Sequence, residues 1–139
     1  MITKKRNKYY CEFCKKAGGA AWAIIKHEER CTLNPNRHCG CCDILEAPQP
    51  DLAGLISMLP NPKEYEDTDA EFDAFFYRGL EEAVDAILPK LREACNNCPA
   101  CIMAALRQNG IPVPVAKNFD FKGELQSILN DYNASKMGY

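Results

Sequence analysis

Nine cysteines in a chain of 139 residues constrain this sequence more than any other feature. Several are separated by two residues, as in Cys11-Glu-Phe-Cys14, and such a pair can face one metal ion from a tight turn. The chain starts with charged residues where a secretory signal needs an apolar run. We therefore expect a cytoplasmic protein, in which closely spaced cysteines bind metal more often than they form disulfides.

The first group of candidate ligands is Cys11, Cys14, His27 and Cys31, with the spacing Cys-x2-Cys-x12-His-x3-Cys. His27 and Cys31 are four residues apart, so on a helix their side chains share one face. Zinc in structural sites takes four sulfur or nitrogen ligands in a tetrahedron. The spacing therefore predicts a closed zinc site.

With these ligands, residues 9–31 resemble the two-Cys, two-His zinc finger family, in its variant with cysteine as the last ligand. Tyr9 stands where the family usually has an aromatic residue, and Ile24 stands where it has a leucine. The resemblance implies a ββα unit. Gly18 departs from the family, which has phenylalanine there, so either Trp22 fills that volume or the hairpin is looser.

The residues that follow the last ligand, Cys31-Thr-Leu-Asn-Pro-Asn-Arg37, are similar to the ending of small single-finger proteins of bacteriophages. This shorter resemblance implies a phage protein that acts in the host cytoplasm.

The remaining cysteines form a second group. Two pairs far apart in sequence can share one zinc ion, and the neatest combination is Cys39 and Cys42 with Cys98 and Cys101. Cys41 and Cys95 are then spare, although Cys95 could replace Cys98, and His38 is a further candidate. A second structural zinc ion would join the finger to the rest of the chain.

Three other interpretations of the second group stay open. Cys95, Cys98 and Cys101 resemble the start of a ferredoxin iron–sulfur motif, but its fourth cysteine is replaced by Ala105, unless Cys42 completes a cluster. A thioredoxin-like redox pair would need a neighbouring βαβ unit, which the sequence does not indicate. Buried free thiols acting as small apolar side chains are the third interpretation.

The hydrophobic pattern predicts a mainly α fold, with a small ββα-like, zinc-stabilised finger packed on a helical body. Residues 1–42 form the basic finger segment and residues 43–139 form the acidic body, and we expect the two to pack together as one unit. In the body we expect a proline-rich linker at 43–67 containing one short helix, Leu52 to Leu59, capped by Asp51.

Three further helices are predicted in the body. The first starts at the capping box Thr68-Asp-Ala-Glu71 and breaks or kinks at Pro89. The second starts at Pro99 and stops at Gly110, after which residues 111–116 are extended. The last runs over about residues 122–132.

Charge is distributed unevenly along the chain. Residues 1–42 carry nine basic and three acidic side chains, a net charge of +6, whereas the remainder has a net charge of −8. The basic segment therefore meets a polyanion or is attracted to the acidic body, unless it is simply solvated. The side chains expected to contact phosphates are Lys4, Lys5, Arg6, Lys8, Lys15, Lys16 and Lys26.

Sequence-specific recognition of bases is not expected. In base-reading members of the family, the residues at the helix start and at its third and sixth positions contact base edges. Here these are Ala20, Ala23 and Lys26, and alanine cannot hydrogen-bond to a base.

Trp22 and Ile25 point away from the ligand face of the finger helix. We expect them to pack on the helical body; otherwise they form a docking surface for a protein partner. Two functions follow: an accessory protein that contacts the nucleic-acid backbone, or an interaction adaptor whose zinc is structural. No small-molecule substrate or membrane partner is indicated, and closed metal sites without a further free base predict a protein that is not an enzyme.

Overall fold

The computed structural model describes residues 1–137 of the chain. The fold opens with an antiparallel hairpin of β1 (Tyr9–Tyr10) and β2 (Ala17–Gly18), in which Tyr9 lies opposite Gly18. Helix α1 (Ala21–Arg30) follows the hairpin. The remaining elements are α2 (Gly40–Leu45), α3 (Leu52–Met58), β3 (Glu66–Asp69), β4 (Ala74–Tyr77), α4 (Leu80–Ala94), α5 (Pro99–Gln108) and α6 (Phe121–Met137).

The main core lies among the helices of the body. Helix α3 packs on α4 and α5, and α6 packs on α5 and α2. The largest wholly buried apolar side chains are Val84, Leu80, Leu91, Ile102, Leu106 and Ile111. The mainly helical character matches the prediction. Within residues 1–137, no helix combines the length and apolarity that crossing a bilayer requires.

The predicted helix start at Thr68 is wrong, because residues 66–77 form a second antiparallel hairpin. Thr68 pairs with Phe75, and the carboxylate of Asp69 accepts a hydrogen bond from the amide of Glu71 in the turn. The apolar residues of this segment are aromatic, and aromatic residues suit a strand as well as a helix. The helix begins instead after Gly79, whose φ of 81° suits glycine and separates the strand from α4.

Three other predictions for the body need correction. Of the break or kink predicted at Pro89, the break does not occur, because helix α4 continues through Pro89 to Ala94. Residues 113–115 form a 3-10 turn, so residues 111–116 are not extended throughout. The expected linker, residues 43–67, includes the end of α2 and a 3-10 turn at Pro62–Tyr65 as well as α3, and its Leu55 is buried in the core.

The predictions for α5 are confirmed at both ends. Pro99 occupies the first turn of the helix, and Gly110 follows its end with a φ of 74°, a conformation that favours glycine. This matters for the site described below, because Cys98 immediately precedes the helix and Cys101 lies in its first turn.

Candidate metal centres

The first group of ligands lies where the hairpin meets α1. The ligand atoms of Cys11, Cys14, His27 and Cys31 all lie within 4.8 Å of one another, so the group could hold a metal ion. Cys14 Sγ is 3.1 Å from Nε2 of His27. The turn from β1 to β2 supplies two ligands, and its geometry is fixed by the Cys14 amide, which donates to Cys11 Sγ at 3.5 Å.

The electrostatics around Cys11 favour its thiolate. Burial raises the pKa of this thiol, but the amides of Cys14 and Phe13 donate hydrogen bonds to the sulfur, and its pKa is lowered overall. Burial raises the pKa of Cys31 at the other end of the group. A positive ion would favour both thiolates, since metal ligands bind as deprotonated sulfur.

Ile24 completes the small core of this unit. An added Cβ at Gly18 would lie 3.0 Å from Cδ1 of Ile24, so the Ile24 side chain occupies the space that the phenylalanine of the family was expected to fill. Trp22 does not fill that volume, because its side chain is 68% exposed.

The second group brings together two pairs of cysteines from distant parts of the chain. The sulfurs of Cys39, Cys42, Cys98 and Cys101 all lie within 4.8 Å of one another, and all four residues are buried. Cys39 Sγ is 3.5 Å from Cys98 Sγ and 3.6 Å from Cys101 Sγ. This group could also hold a metal ion.

Both pairs of the second group occupy helix N-termini. Cys39 is the N-cap of α2 and Cys98 is the N-cap of α5, and the second member of each pair lies in the first turn. The Cys42 amide donates to Cys39 Sγ at 3.4 Å. The positive ends of the two helix dipoles therefore favour negative charge on the sulfurs.

Four clustered thiols cannot all lose their protons without a cation. Hydrogen bonds with Cys101 and Cys98 hold the pKa of Cys39 far below its ordinary value. The contact with Cys39 raises the pKa of Cys101, and burial raises that of Cys42. A divalent cation at the centre of the group would offset the repulsion between neighbouring thiolates, because it favours the deprotonated form of all four sulfurs at once.

The spare candidates do not join either group of four. Burial raises the pKa of Cys41 to about 12 and also raises the pKa of Cys95, and this burial favours the neutral form of both thiols. Cys95 is wholly buried, and its Sγ lies 3.8 Å from the carbonyl oxygen of Arg92. His38 is exposed and hydrogen-bonds to the carboxylate of Asp43.

Two residues that were not predicted from the sequence support the segment between the groups. The side chain of Gln49 accepts a hydrogen bond from the Cys39 amide and donates one to the carbonyl of Arg37, each at 2.7 Å. Arg37 is only 7% exposed, and its Nε donates to the carbonyl of Arg30. Its burial had no signal in the sequence, where Arg37 was counted only in the net charge of residues 1–42.

The seven predicted phosphate-contacting side chains are all exposed. They lie in the segment before β1, in the turn of the first hairpin and on α1: Lys4, Lys5, Arg6, Lys8, Lys15, Lys16 and Lys26. Within residues 1–137, none of them forms a salt bridge. Attraction of this basic segment to the acidic body therefore has no ion pair to support it.

The expectation that Trp22 and Ile25 pack on the body is wrong. Their side chains are 68% and 58% exposed, and they lie three residues apart on α1, one turn from each other. The finger instead contacts the body through polar groups beyond α1. Arg107 donates to Oγ1 of Thr32, and Gln108 donates to the carbonyls of Thr32 and Asn34. These contacts leave the Trp22 face in solvent.

No family model, curated protein or solved structure matches the chain significantly.

Proposed function

We propose that each group of four ligands holds a structural zinc ion. Two sulfurs bound to one tetrahedral zinc at about 2.3 Å each lie about 3.8 Å apart. The sulfur–sulfur separations of 3.5 and 3.6 Å in the second group are close to that value. Both donor sets, three cysteines with one histidine and four cysteines, are common in structural zinc sites.

The arrangement of the first site supports assignment to the two-Cys, two-His zinc finger family. Two ligands come from a hairpin turn, and His27 comes from the helix that follows. The core position that departs from the family, Gly18, is compensated by Ile24. The proposal extends to residues 9–31 and leaves the body outside the family.

A role other than catalysis follows from the same sites. Four protein ligands leave zinc no open position at which to activate water. Here the two ions hold the protein together: one folds the finger, and the other joins the start of α2 to the start of α5. The function is then carried out by the protein surface, whose shape these ions stabilise.

That function is contact with the nucleic-acid backbone. The observation that carries it is the exposure of seven basic side chains that form no salt bridge within the described residues. Lysine and arginine bind phosphates of any sequence, because the interaction depends on charge and the release of counterions. Ala20, at the start of α1, and Ala23 cannot read base edges, so the proposed binding is independent of sequence.

The test measures binding by fluorescence anisotropy with labelled DNA and RNA at two salt concentrations. Replacing Lys4, Lys5, Arg6 and Lys8 by glutamine should weaken binding and flatten its salt dependence. The matched control removes four lysines from the body, Lys63, Lys90, Lys122 and Lys136, and so changes the net charge equally. Equal effects of the two variants, or no binding at low salt, would contradict the proposal.

The exposed face of α1 favours a second candidate function, that of a protein-interaction adaptor. Trp22 and Ile25 form an apolar surface that nothing in residues 1–137 covers. In an adaptor, Trp22→Ala would abolish partner binding, whereas the loss of the four basic residues would be tolerated. If no nucleic acid bound in the anisotropy experiment, the protein-interaction adaptor would be the remaining candidate function.

A further inference from the structure

Two exposed aromatic side chains accompany the basic residues of the finger. Tyr10 is 59% exposed on β1, and Trp22 is 68% exposed on α1. Within residues 1–137, neither ring contacts another aromatic ring or a cationic side chain. Single exposed apolar side chains are ordinary, so it is the charge around these two rings that indicates what they could bind.

Each ring lies beside positive charge. Tyr10 follows Lys8 by two residues, and its partner across the hairpin is Ala17, which follows Lys15 and Lys16. Trp22 has Lys26 four residues further along α1, one turn away on the same face. The next acidic residue on that face, Glu29, is seven residues from Trp22, or about 10 Å along the helix.

We infer that the finger binds single-stranded nucleic acid, with bases stacked on Tyr10 and Trp22 and phosphates held by the neighbouring lysines. This inference rests on the proposed function and specifies its ligand. Alternating aromatic and basic side chains suit a single strand, whose unpaired bases expose their flat faces for stacking. A duplex hides those faces and is read at base edges, where Ala20 and Ala23 have no hydrogen-bonding groups.

The second hairpin shows that exposed aromatic residues alone do not define such a surface. Phe72 and Phe75 are 73% and 57% exposed, similar to Trp22 and Tyr10. Their segment, residues 66–77, contains five acidic side chains and no basic one, so it repels phosphate. Phe72 therefore provides a matched control for Trp22.

The experiment uses the metal-loaded full chain with oligothymidylate, oligouridylate and a duplex, each about 12 units long, within the range of known single-strand sites. Trp22 is the only tryptophan, so its fluorescence reports stacking directly. We expect the single strands to bind more tightly than the duplex and to quench this fluorescence. The more tightly bound of the two single strands identifies the natural polymer as DNA or RNA.

The variants test the role of each ring. Because Trp22→Ala removes the fluorescent reporter, the variants are compared by the anisotropy of labelled strands. Trp22→Ala and Tyr10→Ala should each weaken single-strand binding by about tenfold or more and leave the salt dependence unchanged, whereas Phe72→Ala should have no effect. Zinc content, measured for every variant, verifies the fold.

Two results separate the inference from the proposed function. Salt-dependent binding that is equal for duplex and single strand, and is insensitive to both aromatic substitutions, would overturn the inference alone and leave the Trp22 face for a protein partner. No binding of any of the three nucleic acids would overturn both.

Discussion

The two cysteine groups differ in how the chain assembles them. The first lies within residues 11–31, and two of its four ligands are partly exposed. The second joins residues 39–42 to residues 98–101, and all its ligands are buried. The first therefore requires only local folding, whereas the second requires the helical body to be in place.

Their surroundings differ in the same way. Beside its cysteines, the finger buries Ile24 and no other apolar residue of 9–31, so in our account metal binding supplies its folding free energy. The second group belongs to the main core, beside residues such as Leu91 and Ile102. In this account, metal binding takes the place of an apolar core in the finger, whereas in the body it adds to the stability of an existing core.

The largest effect should come from Cys98→Ala. This change removes a ligand at the contact between the two halves of the second site, so we expect the loss of one metal ion and cooperative destabilisation of the whole body. Cys95→Ala is the matched control: it is equally buried and three residues away, but it is not among the four clustered cysteines. Thermal unfolding with metal analysis compares the two, and equal melting temperatures and metal contents would contradict the assignment.

Cys14→Ala should have a large but local effect. We expect one metal ion to be released and residues 9–31 to unfold, because that unit has almost no core of its own. The body should keep its second ion and its helices. Amide exchange measured by NMR would show this as lost protection confined to the finger, and unchanged zinc content would refute the first site.

A smaller effect is expected from an ion pair that stabilises the body without metal. Arg92 on α4 donates to both carboxylate oxygens of Glu124 on α6, and these bonds lower the pKa of Glu124. The stability that the pair contributes is therefore complete above the ordinary glutamate pKa of about 4.3 and is lost as pH falls through the lowered value.

Glu124→Gln should remove that pH dependence and cost about 1 kcal/mol at neutral pH. Glu81→Gln is the control, because Glu81 pairs with Lys117 at a more exposed position and should contribute less. Urea unfolding at several pH values measures both. A Glu124→Gln variant as stable as the parent at neutral pH would show that α6 is held by apolar packing alone.

Local spacing explains why both ligand groups could be predicted from the sequence. Two residues between cysteines, or three between His27 and Cys31, fix which side chains can meet on one turn or helix face. Spacing left Cys95 open as a replacement for Cys98, and it is the structure that groups Cys98 with Cys101, Cys39 and Cys42. Pro99 and Gly110 marked the ends of α5 because each restricts or extends the backbone.

The missed features depend on contacts that spacing does not encode. The segment containing Thr68 has a capping-box pattern, but pairing with Phe75 and the turn after Asp69 favour a hairpin. Helix α2 is flanked by Cys39 as its N-cap and by Glu46, in the left-handed conformation, as its C-cap, and it is too short for its periodicity to be recognised. The exposure of Trp22 and the burial of Arg37 depend on how the finger sits on the body, which no local pattern specifies.

Native mass spectrometry of the purified protein, with its absorption spectrum, tests the central claim most directly. The account predicts two zinc ions for each folded chain and a colourless solution, because zinc has a filled d shell. A single metal ion would refute one of the two sites. Brown protein containing iron and inorganic sulfide would contradict the zinc assignment and restore the iron–sulfur interpretation of the second group.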